Sequence, residues 1–354
     1  MSRFTVAAAT AVLVVLATAS LANAASQFGG RAKVITGTVA GVPLTLVDTG
    51  PVEPGGDALE ASLLCYPAAA HCAVGIPDAT GGAVSAEVFH ASAVAGGSRS
   101  HATATVADTS LNVAGHTISA TFLAADADVT CSNGTATAGG GAEVAQLVID
   151  GQAITIGTQA NQSVPLPGGG TVIVNEQVAS ASTGNGSADV SALHVIVPGV
   201  LGLGGTDLWV AKAHADAGCG EPPPSSTCQE QDFVTGGGYV EPKKTFAIAG
   251  GFKRGMPWGH LQYDDHAGTK LHGVVTDYKP GTTPTSRQIF GHVDDDAMTP
   301  FRAVVEDNGE PGRDDRFELW LGGVQVASGK LAGGNIQLHH PCLAPPDGAG
   351  SGNL

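Results

Sequence analysis

The stretch "EVAQLVIDGQAITIG", Glu143 to Gly157, constrains the fold of this chain more than any other. Ala145, Leu147 and Ile149 alternate with Val144, Gln146 and Val148, the two-residue period of a strand with one buried face. Asp150-Gly151 then supplies two residues that tolerate positive φ, as a tight type I′ hairpin requires. The same unit recurs at "VAGVPL" (Val39 to Leu44) and "VAGHTI" (Val113 to Ile118). With 51 glycines, 20 prolines and only 14% charged residues, little material remains for amphipathic helices. The chain therefore reads as all-β, with thin cores lined by Ala and Val. Recurring hairpins predict an antiparallel β-sandwich for the N-terminal part. A β-solenoid stands as the alternative, since the last two units lie 36 residues apart.

The first residues carry an address. Arg3 leads into "VAAATAVLVVLATASLA" and then "ANA" at Ala22 to Ala24, the small-x-small pattern of a signal peptidase site. The apolar core is short for a membrane span, and no later run reaches the roughly 18 apolar residues such a span needs. Residues 1–24 are expected to be removed, leaving an exported, soluble chain without a transmembrane segment.

Six cysteines in an exported chain predict three disulfides. Sequence permits fifteen pairings, and spacing favours Cys65 with Cys72, Cys131 with Cys219, and Cys228 with Cys342. No C-x2-C spacing points to metal thiolates. Charge divides the chain at the same place as the cysteines: no Lys or Arg lies between Arg99 and Lys212, whereas 11 of the 16 basic residues lie between Lys243 and Lys330. The linker-like "CGEPPPSSTC" joins the two parts. The expected organisation is a β-rich domain at 25–219, a Pro/Ser linker at 220–227, a small disulfide-closed antiparallel β domain at 228–342 and a disordered tail at 343–354. A formal net charge of −16 argues against nucleic acid and anionic membranes as partners.

Two resemblances follow from longer motifs. "NQSVPLPGGGTVIVNEQ" (Asn161 to Gln177), "ALHVIVPG" (Ala192 to Gly199) and "DLWVAKAHADAGC" (Asp207 to Cys219) resemble the choice-of-anchor P family of bacterial surface and secreted proteins, over roughly Ala25 to Cys219. "DFVTGGGYV", "AGGFKRG…GHLQYDDH…LHG", "VEDNGEPGRDDRFELWL" and "ASGKLAGGNIQLHHPC", in order from Asp232 to Cys342, resemble the post-COAP-1 domain. The resemblances imply architecture and an extracellular or cell-surface location, and carry over no catalytic residue. After Cys342 only "LAPPDGAGSGNL" follows, without a sorting motif, so anchoring by that route is not expected.

Three polar clusters are candidates for chemistry. In "DNGEPGRDDRFELW", Asp307 to Trp320, an EF-hand register from Asp307 lacks two of its ligands, so a charged hairpin turn is expected; a calcium site of another kind would use Asp307, Asp314 or Asp315. In "GHLQYDDH", a strand places His260, Gln262, Asp264 and His266 on one face and Leu261 and Tyr263 on the other. That face reads as a solvated, hydrogen-bonding surface, or as a zinc site with His272 or His339 as further ligands. "HVDDDAM" reads as an exposed acidic turn, with Asp294 and Asp296 as calcium candidates.

No G-x-S-x-G, H-E-x-x-H or Walker loop occurs, and the "GGG" runs at Gly139, Gly168 and Gly236 are read as turns. The leading expectation is an exported, non-enzymatic protein of the envelope, structural or adhesive, contacting envelope protein or polysaccharide and needing no cofactor. The alternative is a carbohydrate- or metal-binding module pair, with Ca²⁺ as its ion and with Trp209, Trp258, Trp320 or Tyr263 as stacking surface. Against it stands the expectation that each Trp packs in a core.

Overall fold

A computed structural model describes residues 27–52, 58–68, 76–96, 98–199, 204–219, 232–241, 243–253, 255–295, 297–309 and 312–339. The expected signal segment, the linker 220–227, the tail 343–354, Cys72, Cys228, Cys342 and Asp296 lie outside the described residues.

In chain order the strands are β1 (Gln27–Val39), β2 (Val42–Asp48), β3 (Ala58–Tyr66), β4 (Val84–Gly96), β5 (Arg99–Val113), β6 (His116–Ser132), β7 (Thr135–Ala145), β8 (Val148–Ile149), β9 (Gln152–Ala153), β10 (Gln162–Pro165), β11 (Thr171–Ser182), β12 (Asn185–Val197) and β13 (Thr206–Gly218). Then follow β14 (Phe233–Val240), β15 (Lys244–Lys253), β16 (Met256–Trp258), β17 (His260–Asp264), β18 (Lys270–Pro280), β19 (Ser286–Val293), β20 (Pro300–Glu306), β21 (Arg316–Leu321) and β22 (Val324–His339). No helix occurs among the described residues, and none there is long and apolar enough to cross a membrane. Every pairing among them is antiparallel, which fits hairpins and not the stacked coils of a solenoid.

The three hairpin units turn where the sequence indicates. Ala40-Gly41, Ala114-Gly115 and Asp150-Gly151 all take positive φ, joining β1 to β2, β5 to β6 and β8 to β9. The first sheet runs β10-β11-β12-β13-β1-β2, and the second runs β3-β4-β5-β6-β8-β9 with β7 also on β6. Their facing side chains merge in one apolar cluster: Val34 and Ile35 of β1, Leu193 of β12 and Ala213 of β13 meet Phe89 and Ala91 of β4, Ala104 of β5 and Ala125 of β6. Small side chains let the sheets approach closely. A Cβ on Gly140 of β7 would lie 2.7 Å from a Val190 methyl of β12. The Cys131–Cys219 disulfide, Cα–Cα 5.4 Å, ties the end of β6 to the end of β13 and so staples one sheet to the other.

A row of irregularity crosses the first sheet. The registers place Val47 of β2, Val34 of β1, Ala211 of β13, Ala192 of β12 and Asn175 of β11 abreast. Val47, Ala211 and Asn175 adopt φ of 55°, 50° and 53°, in the left-handed region. Each breaks the two-residue period, so the buried and outward positions exchange along the strand. On β13 the outward residues are Trp209 before the row and Lys212 and His214 after it; on β1 they are Arg31 and Lys33, then Thr36. Val88, Asp108 and Gln146 take the same conformation in the second sheet, and Gln146 splits into β7 and β8 what the sequence reads as one strand.

The third sheet closes on itself. Its order β14-β22-β21-β20-β19-β18-β17-β15 is completed by pairing of β14 with β15, giving an eight-stranded barrel, with β16 added on β15. Eight strands enclose just enough space for side chains to fill. Ile248, Leu261, Tyr263, Ile289, Val305 and Leu319 do so, around Phe246 and Phe317 stacked at 3.7 Å between ring centroids. Two of the glycine runs read as turns are strand interiors. Gly139 to Gly141 lie in β7, and Gly236 to Gly238 lie in β14, where a Cβ on Gly237 would sit 2.5 Å from the Thr105 hydroxyl of the second sheet. Glycine there permits close approach between layers, a use of glycine that sequence alone does not distinguish from turning.

Candidate functional site

β17 carries the densest set of candidate residues, and it lies where the barrel meets the outer face of the second sheet. Alternation sends Leu261 and Tyr263 into the barrel and turns His260, Gln262 and Asp264 outward. The solvated face expected from the sequence holds only in part: His266 is exposed and His260 partly so, but Gln262 and Asp264 between them are buried, because β3 and β4 cover them. Gln262 donates to the Leu63 carbonyl (2.8 Å) and accepts from the Leu63 amide (2.9 Å), so its amide continues the hydrogen bonding of β3.

Two charged groups flank Gln262. On one side the Glu60 carboxylate of β3 lies between His90 Nδ1 of β4 (3.4 Å) and His260 Nδ1 (3.2 Å), with the Glu60 side chain only 4% exposed. Burial alone would raise the Glu60 pKa. Hydrogen bonds and charge from His260 and His90 outweigh it and hold the carboxyl down at about 2. The bond to Glu60 in turn raises the His260 pKa above the usual imidazole value. His260 also stacks on His272 (5.3 Å between centroids), whose Nδ1 lies 2.7 Å from Asp294.

On the other side stand Glu87 of β4, Asp264, His266 and Lys270. Glu87, Asp264 and His266 offer ligand atoms within 4.8 Å of one another, a set that could hold a metal ion. The Lys270 ammonium lies 2.6 Å from Glu87 and 3.0 Å from Asp264, so a cation already serves these carboxylates. Burial works against that ammonium, but its two carboxylate partners outweigh it and raise its pKa. Asp264 is pulled below the usual carboxylate range: burial opposes this, and the hydrogen bonds with Glu87, the His266 amide and Lys270 prevail. His266 turns away from Asp264 (3.9 Å) towards Asp108 of β5 (3.1 Å).

No family model matches this chain, and no curated protein or solved structure matches it. Its chemistry must therefore be read from the geometry. Further contacts join the same two layers: Lys253 Nζ donates to the Ala58 carbonyl (3.1 Å), Gly334 N to Glu143 (2.8 Å), and Phe122 packs on Tyr239. Ionisable groups that resemble a site on paper thus join the barrel to the second sheet.

The acidic turn is also accounted for by hydrogen bonds. β22 spends residues 324–330 on β21 and 331–339 on β14. The second half therefore runs beyond β21, and carboxylates take up amides there. Asp315, fully buried, accepts from Asn308 N and Ile336 N, both at 2.8 Å, and Asp307 accepts from Leu338 N at 2.8 Å. Asp314 is exposed and pairs with Lys330 at 2.6 Å. Asp307 and Asp315 come together as strand substitutes, while Asp294 sits apart with His272.

The sequence reading had no access to Glu60, Glu87, His90, Asp108 and Lys270, because partners on β3, β4 and β5 are distant in the chain. The tryptophans also depart from expectation. None of the three is a core residue: Trp209 stacks on His194, Trp258 meets Phe233 edge-on, and Trp320 lies under Arg302, all half-buried.

Proposed function

We propose that this protein is an exported, non-enzymatic scaffold of the cell envelope or its surroundings. Its two N-terminal sheets form a β-sandwich module that carries the barrel as a second module, docked as a unit. The observation that carries the proposal is the use made of the ionisable side chains. Glu60, Glu87, Asp108, Asp264 and Lys270 face one another across the seam between the layers, and the acidic turn completes the barrel. Acid–base or nucleophilic catalysis needs such groups convergent on a cavity that admits a substrate. The sequence resemblances to surface and secreted families, the signal-like N-terminus and the even cysteine count support the same reading.

The test is fractionation of cells producing the full chain, with mass spectrometry of the product and a sedimentation assay against isolated envelope. Expected are a mature N-terminus at Ala25, no titratable thiol and saturable co-sedimentation. An uncleaved chain with reduced cysteines in the cytosol, or no association with envelope material, would sink the proposal.

A further inference from the structure

The first sheet holds a feature that the scaffold reading does not require. From Ala25 to Cys219 the chain has four basic residues, Arg31, Lys33, Arg99 and Lys212, against fifteen acidic ones. Three of the four line one open cleft of about 290 Å³ on the outward face of β1 and β13, together with Thr36, Trp209 and His214. The cross-strand register is explicit: Arg31 is opposite His214, Lys33 opposite Lys212 and Thr36 opposite Trp209.

Like charges directly opposite in an antiparallel pair are destabilising. The Lys33–Lys212 pair is such an arrangement, in a domain with almost no other cations. Arg31 is committed to Asp48 (Nε to Oδ1 2.8 Å), and the same carboxylate is 4.0 Å from Lys33. Lys212 has no carboxylate within 4.0 Å among the described residues; its ammonium lies over the Trp209 ring, 4.5 Å from the centroid. Lys33 thus shares one carboxylate with Arg31 and Lys212 has none among the described residues, so the opposed pair carries more positive charge than its neighbours cancel, which suits an anion. The surroundings fit a hydroxylated ring: the Trp209 indole, fixed by its Nε1–H to Glu176 (3.1 Å) and by His194, forms a wall, and the Thr36 hydroxyl and the His214 imidazole supply polar groups. His214 is held by Asp189 and Asp216, each at 3.1 Å.

Charge limits the occupant. Asp48, Asp189 and Asp216 ring the cleft, and the domain as a whole is strongly acidic, so a long uniform polyanion is repelled. We propose that the cleft beside Trp209 binds a sugar acid, a hydroxylated ring with a single carboxylate seated between Lys33 and Lys212. The volume sits at the lower end for ligand sites, which suits one ring and not a chain of them.

The experiment is calorimetric titration of the full chain with galacturonate, galactose and inorganic phosphate. Galacturonate is expected to bind saturably, galactose not to bind, and phosphate to compete only weakly. Lys33→Gln and Lys212→Gln are each expected to weaken galacturonate at least about tenfold. Without ligand, Lys212→Gln should raise the thermal midpoint, because it removes the repulsion with Lys33 and breaks no carboxylate contact, whereas Lys33 also faces Asp48 at 4.0 Å; this checks folding and the premise together. The proposal is overturned if galacturonate gives no heat, if either lysine variant binds it as tightly as the parent, or if phosphate binds equally well, which would mark a generic anion site. A midpoint lowered by Lys212→Gln would refute the opposed-lysine argument.

Discussion

Replacing Glu60 with Gln tests the seam at its most buried charge. The substitution keeps volume and an oxygen that can accept from His260, so what it removes is the negative charge. A carboxyl held at about 2 against an ordinary value of 4.5 corresponds to about 3 kcal/mol of preference for the charged form in the folded state. The sign follows from linkage. A depressed folded pKa contributes stability that is fully present above the unfolded value and is lost as pH falls through the folded one. The His260 side of the same interaction has the opposite limit: its raised pKa contributes below the unfolded value near 6.5 and is lost as pH rises through the folded one. The gap between parent and Glu60→Gln in urea unfolding is therefore expected to peak near pH 5.5 at about 3 kcal/mol. It should narrow from about pH 4.5 towards 2, and again on the alkaline side. Urea titrations at pH 3, 5.5 and 8.5, followed by tryptophan fluorescence, measure it. A gap independent of pH would mean that packing, not charge, is at stake, and no gap at pH 5.5 would refute the argument outright.

Three further outcomes are expected. Asp315→Ala leaves the buried amide of Ile336 and the amide of exposed Asn308 without their acceptor and should cost about 2 kcal/mol in urea unfolding; a loss below about 1 kcal/mol would show that water or a neighbour replaces the carboxylate. Joint replacement of Cys131 and Cys219 by Ser opens a loop with a sequence separation of 88 and should cost about 4.5 kcal/mol on the chain-entropy account, measured by calorimetry against the parent. Zn²⁺ should leave the thermal midpoint of the parent unchanged, because Lys270 serves Glu87 and Asp264, and should raise it in Lys270→Ala; a rise in the parent would make the triad a metal site in its own right.

What was legible in the sequence, and what was not, divides along the range of the interaction. Ala40-Gly41, Ala114-Gly115 and Asp150-Gly151 announce their turns because a hairpin is set by adjacent residues. The alternation of β17 is equally local, and it correctly separates Leu261 and Tyr263 from Gln262 and Asp264. The burial of the second group was not legible, because the cover comes from β3 and β4, far away in sequence. Gly237 misled for a related reason, since the same residue type serves a turn and a close contact between layers. The cleft beside Trp209 was hidden by a defect in the period itself. Strict alternation puts Trp209 and Lys212 on opposite faces, and only the left-handed Ala211 brings them to one. Scarcity of basic residues was the available clue, and it did not say that three of the four would meet.

The row through Val47, Ala211 and Asn175 also bears on what this protein does not become. Among the described residues β2 and β10 end the first sheet, and no further strand pairs with their outer edges there, the kind of template on which copies of a strand-rich chain can add to form fibres. Fibre growth requires long, flat strands in register. A crease running across the strands next to that edge denies flatness to any strand that would be added, so the defect that shapes the cleft also works against edge-to-edge polymerisation of the chain.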